Sequence, residues 1–144
     1  MNVYSIKRTI LGQLPTGADL YESLTQIIQR ENITLGRLSG IGATTHAVIA
    51  YFDQIEKKYS TLEFPDGMEI VSLNGNISIR DGKPFIHAHI VLSDAQGKAF
   101  GGHLLPGTKV LACEVTIDEL EGDELVREFN EKTGLALWKE GKLV

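Results

Sequence analysis

Cysteine is almost absent from this chain: Cys113 is the only one in 144 residues. No intrachain disulfide can form, so the fold must be held by burial, as suits a reducing cytoplasm. Cys113 falls in the apolar pattern Val110-Leu111-Ala112-Cys113-Glu114-Val115, which predicts a buried, inert thiol rather than a nucleophile. Long apolar runs are missing too. Nothing approaches the roughly 20 residues of a membrane span, and MNVYSIKRTI at the start lacks the apolar core of a secretory signal. The expectation is a soluble, cytoplasmic protein. Basic clusters are equally scarce: the net charge is −5, from 19 acidic and 14 basic side chains. Lys57, Lys58, Arg80 and Lys83 are scattered, while Glu119, Glu121, Asp123, Glu124, Glu128 and Glu131 make the last quarter acidic. Gripping nucleic-acid phosphates depends on Lys and Arg and on the counterions they release. Direct DNA binding by the isolated domain is therefore disfavoured, and a basic patch would have to form on assembly.

What the chain does contain is histidine in a pattern. Three of its four histidines, His87, His89 and His103, lie in FIHAHIVLSDAQGKAFGGHLL, Phe85 to Leu105, which looks like two strands and a turn. Side chains alternate across a strand, so His87 and His89 share a face. Asp94-Ala95-Gln96-Gly97-Lys98 suits a three-residue hairpin loop, a type I turn closed by Gly97 in the left-handed conformation. If Ala95 to Gly97 is the loop, Asp94 pairs with Lys98 and His89 stands opposite His103, with β-carbons about 4.5–5.5 Å apart. A loop one residue longer would move His103 to the other face unless Gly101-Gly102 forms a restoring bulge. Three converging imidazoles suit Zn²⁺ or another borderline first-row ion, and three protein ligands leave a coordination position open. The competing reading is that these histidines pack and hydrogen-bond within the sheet. His46 lies in a different stretch and is set aside.

The remaining pattern predicts an α+β domain, mainly antiparallel sheet with one principal helix packed on it, spanning residues 1–144 as a single unit. Val3 to Leu14 reads as a strand. Asp19 and Glu22 have capping-box spacing, and Leu20, Leu24, Ile27 and Ile28 form the apolar stripe of a helix from Leu20 to about Arg30, with Asn32 as terminator. Thr34 to Leu38 reads as a short strand, followed by Ser39-Gly40-Ile41-Gly42-Ala43. A phosphate loop is not the reading of these glycines, because position 45 is Thr where the third glycine belongs. A bend or bulge is expected there, then a strand from Thr45 to Phe52 and polar connection or edge strand from Asp53 to Tyr59. Met68 to Ile79 is a long strand bent at Gly75, and Asp81-Gly82 is a hairpin turn leading into Phe85 to Leu92. Lys109 to Ile117, Leu125 to Phe129 and Leu135 to Trp138 are later strands. Neither face of Phe85 to Leu92 is conventionally polar, which predicts a covered strand and an oligomer.

In this order, SGIGA (Ser39 to Ala43), EIVSLNGNIS (Glu69 to Ser78), DGKPFIHAHIVLSD (Asp81 to Asp94) and GGHLLPGTKVLACEV (Gly101 to Val115) resemble the plants-and-prokaryotes conserved (PPC) domain. GADLYESL and REFNEKTGLALW are similar too, so the likeness covers nearly the whole chain. The resemblance implies a homotrimeric α+β domain. In plants that domain follows minor-groove-gripping AT-hooks, and stand-alone prokaryotic members carry a DNA-binding label; no Arg-Gly-Arg-Pro element occurs here. It also implies bound zinc at the histidines matched by His87, His89 and His103. The fold and the His-x-His arrangement are further similar to acetolactate decarboxylase, an analogy of geometry alone.

These readings define three functions to weigh. One is a zinc-binding, trimeric regulatory protein, DNA-binding by family label. The second is a metal-dependent lyase- or hydrolase-like enzyme on a small molecule, for which Glu114 is the candidate proton carrier. The third is an oligomeric scaffold with structural histidines.

Overall fold

The computed structural model describes residues 2–139. Its single long helix, α1 (Leu20–Arg30), begins where the sequence supplies a cap: the Asp19 carboxylate accepts the Glu22 amide at 3.1 Å. The same carboxylate accepts the Gly107 amide at 2.6 Å and approaches Lys109 Nζ at 3.5 Å, so it joins the helix start to the loop after the third histidine. Leu20, Leu24 and Ile28 are fully buried, each worth about 1.5–3 kcal/mol of transfer from water. The helix stops at Asn32, which adopts φ 54°. The Asn32 amide donates to the Gln29 carbonyl, and the Ile33 amide donates to that of Ile28. This paired closure satisfies two terminal carbonyls and sets Ile33 in the core.

Nine strands among the described residues form one sheet: β1 (Ser5–Leu14), β2 (Gly36–Asp53), β3 (Lys58–Phe64), β4 (Met68–Arg80), β5 (Lys83–Ser93), β6 (Ala99–Leu104), β7 (Lys109–Glu121), β8 (Val126–Asn130) and β9 (Leu135–Trp138). Its order is β1-β7-β2-β6-β5-β4-β8-β9, with β3 hydrogen-bonded to β2 and β2 also to β4. The pairings β2–β4, β4–β5, β5–β6 and β6–β2 close a ring, so the sheet curls on itself. Its inner side chains, among them Leu73, Ile77, Ile86, Ile90, Leu92 and Ile117, pack with α1 in one core. All pairings are antiparallel except β4–β8, where Ile79 and Arg80 run parallel to Val126 and Arg127.

The expected α+β architecture is therefore present, with two differences: β3 (Lys58–Phe64) continues past the Asp53–Tyr59 stretch read as polar connection or edge strand and pairs with β2 up to Ala47, and the division around SGIGA changes. The two strands expected around SGIGA are a single 18-residue strand, β2. Gly40 and Gly42 do not interrupt it; they mark a bulge against β4. Gly42 has φ 152°, and a β-carbon there would stand 2.1 Å from the Ala112 carbonyl, so only glycine lets β2 and β7 approach. The bulge lets the strand bend and change partners, from β4 and β7 in its first half to β3 and β6 in its second.

A candidate metal centre on the β5–β6 hairpin

The hairpin that carries the histidines folds as its turn residues dictate. Gly97 has φ 78°, its amide donates to the Asp94 carbonyl at 2.9 Å, and the Asp94 amide donates to the Lys98 carbonyl at 3.1 Å. The Asp94 carboxylate also accepts the amides of Gln96 and Lys98 at 2.9 Å, so one side chain holds the loop shut. The resulting register sets Ser93 opposite Ala99 and His89 opposite His103. On β5, Ile86, Ala88, Ile90 and Leu92 are buried toward the helix side, and His87 and His89 project from the other face.

His87, His89 and His103 each present one ring nitrogen such that all three lie within 4.8 Å of one another. The shortest separation, His87 Nε2 to His103 Nδ1, is 3.2 Å. Two nitrogens bound to one tetrahedral zinc at about 2.1 Å stand roughly 3.4 Å apart, so this pair is already close to ligand spacing. Burial, reinforced by the Arg127 charge and by the His103 and His89 rings, pushes His87 down to about 4. Burial and the neighbouring His89 also hold His103 below its ordinary value. Both rings are thus neutral at physiological pH, the form that offers a lone pair to a metal.

Sequence reasoning missed Arg127. Its Nη2 lies 3.4 Å from His87 Nδ1, and the guanidinium also donates to Ser78 Oγ at 2.9 Å, Asn76 Oδ1 at 2.8 Å and the Ala136 carbonyl at 3.1 Å. Arginine only donates, so the His87 Nδ1 lone pair faces it and the ring proton sits on Nε2, toward His103. A metal taking Nε2 needs the other tautomer, with the proton moved to Nδ1, and Arg127 would then have to turn from that nitrogen to its remaining acceptors Ser78, Asn76 and the Ala136 carbonyl. No local pattern in Val126-Arg127-Glu128 announced this, because Arg127 reaches the site through the parallel β4–β8 pairing. Tyr59 is the second missed neighbour: its ring meets His103 edge-on, with centroids 5.0 Å apart.

His89 and His103 open on a cleft of about 700 Å³ whose lining also includes Tyr51, Phe52, Gln54 and Lys132. Glu114 does not line it. That residue sits on β7 beside Gln13, Ile41 and Glu69 in a separate cleft, so the chain's own fold does not bring it to the histidines. His46 is also apart, with Nε2 3.2 Å from Glu63 Oε1, as expected of a bystander. Cys113 is fully buried and its thiol is pushed up to about 11 by burial and by Glu114, so it is inert.

The chain is 39% identical to the metal-containing protein AF0104 from Archaeoglobus fulgidus, with 97% of this chain and 100% of that one aligned at a TM-score of 0.90. A plant- and prokaryote-conserved protein from Pyrococcus horikoshii gives 36% identity, 99% coverage of each chain and a TM-score of 0.93. A protein described as DNA-binding from Bacteroides thetaiotaomicron gives 26% identity, 96% and 98% coverage and 0.85. Acetolactate decarboxylase from Bacillus subtilis shares the fold more distantly, at 15% identity over 86% of this chain and 56% of that one, with a TM-score of 0.57. Among curated proteins, 112 residues are 31% identical to the bifunctional protein GlmU of Synechococcus; they cover 76% of this chain and only 17% of that much longer relative. The profile of the Plants and Prokaryotes Conserved (PCC) domain matches residues 1–121, and the chain belongs to that family.

Proposed function

We propose that this chain is a trimeric metal-binding protein in which His87, His89 and His103 hold zinc, with a further coordination position open to the cleft. The carrying observation is the convergence of three ring nitrogens within 4.8 Å, two of them on neutral, half-buried rings. The similarity to a metal-containing archaeal protein supports it. A zinc ion there would polarise a bound oxygen or lower the pKa of a bound water to about 7. The chain's own part is to fix the rings on a hairpin and to admit a small molecule through the cleft, the enzyme-like use of the site. Metal analysis of the purified protein should find close to one zinc per chain, and a chelator should lower the melting midpoint. Ligand at a hundredfold excess over its dissociation constant stabilises by about 2.7 kcal/mol, a readily measured shift. Metal-free protein whose midpoint responds to neither zinc nor chelator would leave the histidines a structural role.

Association between copies is supported by apolar side chains left exposed on the sheet: Leu11, Ile41, Val71 and Leu111 are each at least half exposed; the number three is what the family resemblance implies. Regulation through DNA is a second reading, favoured by the description of the Bacteroides relative. The net charge of −5 weighs against it. A gel-shift titration at low and physiological salt decides: retention that weakens steeply with salt supports the DNA reading, and no shift at low salt removes it.

A further inference from the structure

The β8–β9 hairpin lies beyond residues 1–121, the part that matches the family, yet it builds one side of the histidine cleft. Lys132, Thr133 and Leu135 line the cleft, and Arg127 of the same hairpin stands 3.4 Å behind His87. The hairpin turn is held in place: Lys57 Nζ donates to the Glu131 carbonyl at 3.0 Å, and the Lys57 stem lies 3.1–3.4 Å from where a Gly134 β-carbon would be. Opposite, Gly102 leaves the cleft floor bare, since a β-carbon there would meet the Ala50 carbonyl at 2.6 Å.

The charge of this cleft runs against that of the chain. Acidic residues outnumber basic ones by 19 to 14, but no carboxylate is among the described lining residues. The acidic Glu128 of the hairpin is instead paired with Lys139 at 3.1 Å. What faces the cleft is Lys132, imidazoles and the neutral donors Tyr51, Gln54 and Thr133. A divalent ion at the histidines would add further positive charge with nothing in the lining to offset it.

We infer that the β8–β9 hairpin makes this cleft a receptor for a small oxyanion, a carboxylate or a phosphate, with Lys132 as its counter-charge. The assignment rests on the proposed metal centre, which would take one ligand oxygen while Lys132 meets the charge. The volume of about 700 Å³ fits a molecule of metabolite size. With no carboxylate in the lining to compete, Lys132 and the proposed ion offer an anion charge-assisted contacts.

The test is calorimetric titration of the zinc-loaded full chain with oxamate, with its neutral isostere oxamide, and with methylphosphonate. Zinc content is measured before and after each titration. Oxamate should bind at least about tenfold more tightly than oxamide, and Lys132→Ala should weaken oxamate by roughly five- to tenfold, Lys132→Glu by more and Lys132→Arg by little. Lys132 is exposed in a turn, so these variants should fold. Tighter methylphosphonate than oxamate points to a phosphate ligand and the reverse to a carboxylate; either supports the receptor. Equal binding of oxamate and oxamide, or an unchanged Lys132→Ala, with zinc retained, overturns the oxyanion assignment and leaves the metal centre standing. Failure of the wild-type chain to hold zinc overturns both.

Discussion

At the scale of single residues the site is defined by what its neighbours do to protons. His87 has its pKa pushed from 6.5 to about 4, so between those values the unfolded chain binds more protons than the folded one. Stability of the metal-free protein must then fall as pH drops from about 6.5 toward 4, because unfolding takes up a proton. Glu119 is displaced in the other sense: hydrogen bonds from Lys7 and Arg8, with their charges, hold it below its ordinary 4.5. Its contribution is complete above that value and is lost only below it, so the window from about pH 5 to 6.5 isolates the two depressed histidines, His87 with the larger displacement and His103. Urea midpoints of metal-free protein should decline across that window, and His87→Gln should reduce the decline to the part His103 supplies; an unchanged slope would mean that His87 is not a group responsible. The histidines themselves were legible from strand alternation and one turn count. Arg127 was not, since 40 residues separate it from His87 and only the tertiary pairing of β8 with β4 brings the two together.

At the scale of elements the loop of the β5–β6 hairpin sets whether three imidazoles meet. Its register puts His89 opposite His103, and side chains change face with every single-residue slip. Inserting one glycine after Gln96 should turn the His103 ring away from His87 and His89 if the slip propagates along β6. Zinc content should then fall to background while the far-ultraviolet dichroism of the sheet persists. Retained zinc would mean that the Gly101-Gly102 pair absorbs the extra residue as a bulge. The helix offers an independent test, because Asp19 caps α1 and also holds Gly107 and Lys109. Asp19→Ala should cost about 2 kcal/mol in denaturant unfolding, the upper end for a lost cap, with zinc content unchanged. Both elements were readable because their signals are local, a cap residue and a left-handed glycine. The continuity of β2 was not readable. Gly40 and Gly42 look like a chain break, and that they instead let β2 pass β7 at close range depends on Ala112, far along the sequence.

At the scale of the whole molecule the question is what covers the sheet. The helix occupies one side only, and Leu11, Ile41, Val71 and Leu111 remain exposed, at 76, 58, 55 and 50%. Scattered exposed apolar side chains are ordinary, but Ile41 and Val71 line one cleft with Ala112, and Leu111 is the next residue along β7. Gln13, Glu69 and Glu114 line the same cleft, so this face mixes apolar and polar side chains, the composition of an interface between copies. For the proposed trimer, light scattering should give three times the 15.8 kDa chain mass at micromolar concentration. Leu111→Glu would bring a charge into the proposed contact, where burying it unpaired costs several kcal/mol. That variant should lower the mass toward 15.8 kDa and make the melting midpoint depend less on protein concentration. Because the histidines all come from one chain, the dissociated variant should still take up zinc. A Leu111→Glu protein that loses zinc as it dissociates would show that the metal centre needs the neighbouring copy.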